Sequence, residues 1–122
     1  MDLYAYQILD HYKQPRNYGV LEGADASSEQ ANLSCGDKVM MYVKVADGAV
    51  TEIKFTGDGC AISKASTSML TEKLIGRRVE DVLSMDLDSI REILGIEISD
   101  RRSSCALIGL SAIQGSLKKI AK

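Results

Sequence analysis

The chain has 122 residues, of which 45% are hydrophobic, and its formal net charge is -2. This length predicts a single domain over residues 1–122, with enough apolar material for a core that needs no disulfide or structural metal. The near-neutral charge, the lack of Trp and the single Phe argue against a nucleic-acid partner. The mixed charges of the first residues do not suit a signal peptide, and no apolar run approaches the ~18 residues of a membrane span. We therefore expect a soluble, cytoplasmic protein.

The first predicted element is an amphipathic helix over residues 2–14, where apolar side chains recur at helical spacing until Pro15 closes the helix. Residues 19–30 are mostly small and polar, which predicts a loop. A weak signal for a further short strand follows around residues 30–33, ahead of Cys35.

Two strands joined by a tight turn give the clearest pattern in the sequence. Side chains alternate in character over residues 39–45, and the Asp-Gly pair at 47–48 is typical of a two-residue hairpin turn. Residues 50–55 alternate again, which predicts that Thr51 shares a face with Phe55.

The second half of the chain changes to helical spacing. An apolar stripe predicts a helix over 61–75 that Gly76 ends, and its small residues should let neighbouring backbone approach closely. Two short helices are predicted near 79–84 and 87–94, and a last helix over about 104–120. The sum is an α+β domain, with a small antiparallel three-stranded sheet and helices packed on one face.

Three cysteines, an odd number that cannot pair off within one chain, lie at the ends of predicted elements. Cys35 lies in a turn before the strongest strand, Cys60 follows Gly-Asp-Gly at a helix start, and Cys105 opens the last helix. At Cys60 and Cys105, unpaired N–H groups and the helix dipole favour thiolate, the form that binds soft metals and accepts sulfur. Asp37 follows Cys35 across a glycine. Three thiolates and one carboxylate match either tetrahedral zinc or the terminal ligands of a [2Fe–2S] core.

The residue types also bear on what such a site would do. A carboxylate oxygen holds iron in a cluster less durably than a fourth thiolate would, so the set suits release of a cluster rather than a permanent redox centre. Taken singly, each cysteine is as well explained by packing, and Asp37 by turn chemistry. Taken together, their spacing alone favours a metal or cluster site and these ordinary structural roles about equally. Arg102, near Cys105, is either a counter-charge for the site or a solvated surface residue.

Four segments together resemble one known family. Residues 10–17 read DHYKQPRN, residues 35–37 read CGD, residues 59–66 read GCAISKAS, and Cys105 follows at the expected place. This series, which covers nearly the whole chain in order, is similar to the U-type iron–sulfur scaffolds, the group of IscU, SufU and the N-terminal domain of NifU.

The resemblance implies a function. Such proteins are scaffolds without turnover of their own that accept sulfur from a cysteine desulfurase, assemble a labile [2Fe–2S] cluster and pass it to apo-proteins. It implies Cys35, Asp37, Cys60 and Cys105 as ligands, with Zn²⁺ as another occupant of the same site and Cys105 as the first persulfide acceptor. It implies that His11 is a structural or surface residue of the first helix rather than a ligand, and it leaves a homodimer open.

The chain departs from the family pattern at three places. Ser104 stands where many members have His or a basic residue, which gives Asp37 more weight. Residues 97–102 replace the LPPVK segment that Hsp70-type chaperones bind, so we do not expect that partner. The stretch between Cys60 and Cys105 is too short for the insertion typical of SufU. A zinc-bound sulfur shuttle of the SufU type remains the alternative function, and a structural zinc domain is disfavoured because carboxylate ligands are rare in such sites.

Overall fold

The structure is a computed structural model that describes residues 3–32, 36–59, 61–94 and 103–120; within these ranges the side chains of 3–5, 32, 61–62, 93–94 and 103–106 are excepted. The predicted fold class is confirmed: one antiparallel sheet of three strands carries its helices on one face. In chain order the elements are α1 (Leu3–Lys13), β1 (Ala26–Asn32), β2 (Asp37–Ala46), β3 (Ala49–Asp58), α2 (Ala61–Leu74), α3 (Val79–Leu83), α4 (Leu87–Leu94) and α5 (Ser103–Ile120).

Strands β2 and β3 form the predicted hairpin. Asp47 and Gly48 both have positive φ angles, 54° and 76°, as the predicted turn type requires. Alternate residues of β2 are buried, and Met41 and Val43 are fully enclosed. The hairpin therefore presents one apolar face to the helices and leaves the other open.

One detail of the return strand differs from the prediction. The register shifts between Lys44 and Val45, so that Thr51 is an extra residue opposite this point. Val50 is consequently buried and Thr51 is exposed, where it donates a hydrogen bond to the carbonyl oxygen of Lys44. The prediction that Thr51 shares the inner face with Phe55 is wrong, because a bulge reverses the alternation.

Strand β1 shows that the loop predicted over residues 19–30 extends too far. Ala26–Asn32 pairs with β2 along its whole length, from Ala26 opposite Val43 to Asn32 opposite Asp37. The seven residues have little intrinsic preference for a strand. These residues form a strand because they pair with the edge of β2 and pack under α5. Such tertiary contacts cannot be predicted from the local sequence pattern.

The helices α2 and α5 cover the inner face of the sheet. Of the apolar stripes predicted for them, Ala65, Met69, Leu70 and Leu74 on α2 are buried. The buried set of the core spans both layers: Val39, Met41, Val43, Val50, Ile53, Phe55, Met69, Leu70, Leu74, Val82, Ile90, Ile108, Leu110, Ala112, Ile113 and Leu117. Among the helices described, none is both long enough and apolar enough to cross a bilayer.

Candidate functional site at one end of the sheet

Asp37 is the one predicted site residue whose side chain the structure describes. It is the first residue of β2, and it pairs with Asn32, the last residue of β1. Its side chain is only 1% exposed. Aspartate is rarely buried to this extent without a specific role or partner, because removing a carboxylate from water costs free energy.

Gly59 forms the wall against which the Asp37 carboxylate lies. A Cβ atom at position 59 would come within 2.6 Å of Asp37 Oδ1 and 3.1 Å of its Cγ. Since real Cβ atoms do not approach so closely, this position admits only glycine while the carboxylate stays where it is. Cys60 is the next residue along the chain. The fold therefore holds a carboxylate against the backbone that leads directly into the second cysteine.

Helix α2 begins at this end of the sheet and runs back towards the hairpin. It starts at Ala61, just after the end of β3, and Gly76 beyond its last turn donates a backbone hydrogen bond of 2.7 Å to Val50 near the turn. The N-terminus of α2, with its unpaired N–H groups, is thus directed to the end where Asp37 lies.

Helix α5 runs parallel to α2. The Lys119 ammonium donates to the Ser27 carbonyl oxygen, and the backbone of Gly115 lies against Ser28, one residue closer to the Asp37 end. Ten residues of helix from Gly115 back to Cys105 span ~15 Å. The four residues from Ser28 to the end of β1 span ~13 Å. The first turn of α5 is therefore level with the end of the sheet.

The two helices approach each other closely. A Cβ atom on Gly109 would lie 2.6 Å from Thr67 Oγ1 and 3.2 Å from Thr67 Cα. Each of these residues is six positions beyond the start of its helix. Because the helices are parallel and touch at equivalent positions, their N-termini emerge side by side.

The backbone accordingly brings three chain segments to one end of the sheet. Cys35 and Cys60 lie outside the described residues, but their neighbours Gly36 and Gly59 flank Asp37. Cys105 lies in the first turn of α5, with its side chain outside the described part. Among the described side chains no three His, Cys, Asp or Glu groups form a metal cluster. The four-ligand set stays a prediction, as does the role of Arg102, which is also outside the described residues.

The DHYKQPRN segment docks α1 onto α2 through buried hydroxyl groups. Ser68 Oγ lies 2.7 Å from His11 Nδ1 and accepts a hydrogen bond from the backbone N–H of Arg16 at 2.8 Å. Asn17 donates its amide to Thr71 Oγ1 at 3.0 Å. Both Ser68 and Thr71 are fully buried. The segment is therefore structural where it meets α2, as expected for His11.

His11 lies between groups of both charges. Burial is the largest influence and lowers its pKa, and the nearby Arg16 guanidinium lowers it further. The carboxylates of Glu72, 3.6 Å from Nε2, and Asp10 act in the opposite direction. Because the net pKa shift is downward, the folded protein favours neutral His11 near neutral pH.

This pKa shift predicts a pH dependence of stability. Below about pH 6.5 the unfolded chain binds a proton at His11 that the folded chain does not yet bind, so the free energy of unfolding falls on acidification until the folded pKa is passed. His11 is the only histidine. We expect His11→Gln to reduce this loss when urea unfolding at about pH 8 and about pH 5.5 is compared with the parent chain. An unchanged loss in the variant would show that other groups cause it.

Sequence reasoning missed the hydrogen-bond partners that α2 provides for the DHYKQPRN segment. Ser68 was interpreted only as a small residue and Thr71 was given no structural role, yet their hydroxyl groups are the partners of the N-terminal signature. A helix face with Ser and Thr at positions 63, 66, 67, 68 and 71 carries more hydroxyl groups than close packing needs. That excess was the available signal.

The fold and the placement of Asp37 define a small α+β domain with a candidate ligand site where two helix N-termini meet the end of a sheet. A comparison with protein families matches residues 3–122 to the NifU-like N terminal domain. The chain belongs to this family, as its resemblance to the U-type scaffolds predicted.

Similar proteins of known name are described either as cluster assembly scaffolds or as a sulfurtransferase. The chain is 32% identical to the "iron-sulfur cluster assembly scaffold protein IscU" of Thermotoga maritima, covering 98% of this chain and 96% of the relative. It is 34% identical to the "zinc-dependent sulfurtransferase SufU" of Bacillus subtilis, covering 96% and 90%. A crystal structure of a NifU-like protein from Brucella abortus matches with a TM-score of 0.81 at 21% identity, covering 98% and 94%. The last likeness supports the fold alone.

Proposed function

We propose that this protein is a scaffold on which a labile [2Fe–2S] cluster is assembled from iron and desulfurase-derived sulfur and then passed to apo-proteins. Cys35, Asp37, Cys60 and Cys105 are the proposed ligands, and the cluster is cargo. The protein acts as a carrier, in a reducing compartment such as the cytoplasm, where the three thiols stay reduced. Its proposed partners are a cysteine desulfurase and the recipient apo-proteins.

The observation that carries the proposal is the buried carboxylate of Asp37 against Gly59. An oxygen ligand fixed in a glycine-walled recess, with two helix N-termini directed to the same end, suits an anionic centre that must be bound and later released. A cluster with three thiolates and one carboxylate carries a net charge of about -2, which the N–H groups of both helix starts would stabilise.

Sulfur enters through a cysteine in this proposal. A Cys105 thiolate attacks the outer sulfur of the desulfurase persulfide, the new S–S bond forms on Cys105, and the desulfurase cysteine leaves as its thiolate. The position of Cys105 in the first turn of α5 favours the thiolate form. Cys35 and Cys60 are the competing acceptors.

The alternative function is a zinc-bound sulfur shuttle for the desulfurase. The 34% identity to a protein named as a zinc-dependent sulfurtransferase favours it. The same four residues fit zinc, since thiolate and carboxylate oxygen are both zinc ligands. In that case one cysteine accepts sulfur and no cluster is built.

Anaerobic reconstitution with ferrous iron, cysteine and a desulfurase separates the two functions. A scaffold develops sulfide-to-iron charge-transfer bands and contains about two irons per chain or per dimer. A shuttle keeps zinc, stays colourless and still stimulates the desulfurase. In the same experiment, mass spectrometry of Cys35→Ser, Cys60→Ser and Cys105→Ser measures persulfide formation. Persulfide transfer that survives Cys105→Ser would refute Cys105 as the acceptor.

A further inference from the structure

Lys64 is a cation placed close to the candidate site. It is the fourth residue of α2, and it follows Cys60 by four positions in the sequence. Its half-buried side chain lines a narrow recess that Gly59 and Asp58 also line. Side chains on a helix lean towards the N-terminus, which directs Lys64 to the end where Asp37 lies.

Two aromatic rings hold the Lys64 ammonium. Its Nζ atom lies 5.0 Å from the ring centroid of Tyr18 and 5.7 Å from that of Tyr12. Both distances are within the range of cation–π attraction. A lysine in the first turns of a helix opposes the helix dipole, so this position offers no intrinsic advantage to a cation. The rings keep the charge there nonetheless.

The charge of Lys64 has no neutralising carboxylate in the part of the chain that the structure describes, since none there forms an ion pair with its ammonium. Lys38 lines the same recess, but it lies 3.5 Å from Glu29 and its charge is balanced there. Asp58, the acidic residue lining the recess, is exposed to solvent, which weakens its field.

We propose that Lys64 is a positioning residue that supplies positive potential to the Cys60 position, with Tyr12 and Tyr18 holding its ammonium in place. The species it would attract are anionic sulfur compounds: persulfide, sulfide and the assembled cluster. This inference rests on the proposed function, because it assigns a source of charge to the same site. It acts through space on whatever anion approaches Cys60, and it needs no bond to that anion.

The test compares how Cys60 reacts with a charged and a neutral alkylating reagent. In the full chain carrying Cys35→Ser and Cys105→Ser, the ratio of the rate constants for iodoacetate and iodoacetamide reports local potential, since the reactivity of the thiolate cancels. We expect Lys64→Met and Lys64→Gln to lower this ratio about threefold at low salt, which corresponds to about 0.65 kcal/mol of lost electrostatic attraction. High salt should reduce the difference.

The matched control is Lys73→Met, which removes an exposed lysine near the other end of α2 and should leave the ratio unchanged. Lys64→Arg should retain the ratio of the parent. An unchanged ratio in both neutral Lys64 variants, or an equal fall in Lys73→Met, would overturn the inference. The assay contains no iron, zinc or desulfurase. A failed reconstitution would therefore refute the proposed function, whereas the ratio of alkylation rate constants would still test the role of Lys64.

Discussion

An Asp37→Ala variant is expected to release its cluster more slowly than the parent chain, by on the order of tenfold, the factor that about 1.4 kcal/mol of activation free energy represents. In the proposed ligand set, the variant removes the hard oxygen ligand and leaves three soft thiolates. It also removes one negative charge from a recess in which Asp37 is almost fully buried. The measurement is the decay of the visible cluster bands after an apo-protein acceptor or a chelator is added.

Asp58→Ala is the matched control for this experiment. Asp58 ends β3 at the same end of the sheet, but it is exposed, so its removal should change the release rate little. The comparison separates loss of a ligand from loss of a nearby charge. If Asp37→Ala lost its cluster during reconstitution, Asp37 would be an anchor, and the argument that the carboxylate makes the site labile would fail.

The second large effect is expected at the contact between α2 and α5. Gly109→Ala should lower the free energy of unfolding by up to about 2 kcal/mol, because an overpacked core costs about 1–3 kcal/mol and the helix preference of Ala offsets ~1 kcal/mol of it. The new Cβ would meet both the side chain and the Cα of Thr67, and a backbone atom in mid-helix cannot move aside by rotation. Urea unfolding measures the change.

Gly115→Ala provides the comparison on the same helix. Its nearest atom is Ser28 Oγ, 2.8 Å from the added Cβ, and a hydroxyl group can rotate away. This variant should therefore be close to neutral or slightly stabilising. The double variant Gly109→Ala with Thr67→Ala should recover part of the loss, since it removes the closest contact. Equal destabilisation by both glycine variants would mean that helix geometry, and not the Thr67 contact, sets the cost.

Local pattern was sufficient for most of the elements. The alternation before Asp47 and Gly48 predicted the hairpin, and Gly76 marked the end of α2, because turns and helix ends depend on a few residues with special backbone preferences. It gave only a short strand around residues 30–33 where β1 spans Ala26–Asn32, and it was wrong at Thr51. The pairing of β1 depends on the exposed edge of β2, and the bulge at Thr51 depends on register, so neither is encoded within a few residues.

For the candidate site as well, some features could be predicted from the sequence and others only from the tertiary structure. The sequence by itself determined which residue types were available, three cysteines and Asp37, and the order of the family's motifs along the chain. Only the tertiary structure decided that Asp37 is buried against Gly59, that α2 and α5 run parallel with their N-termini side by side, and that Lys64 lies between two tyrosine rings. The physical reason is that these relations join residues far apart in sequence. They arise from packing two helices on one sheet, which no local propensity records.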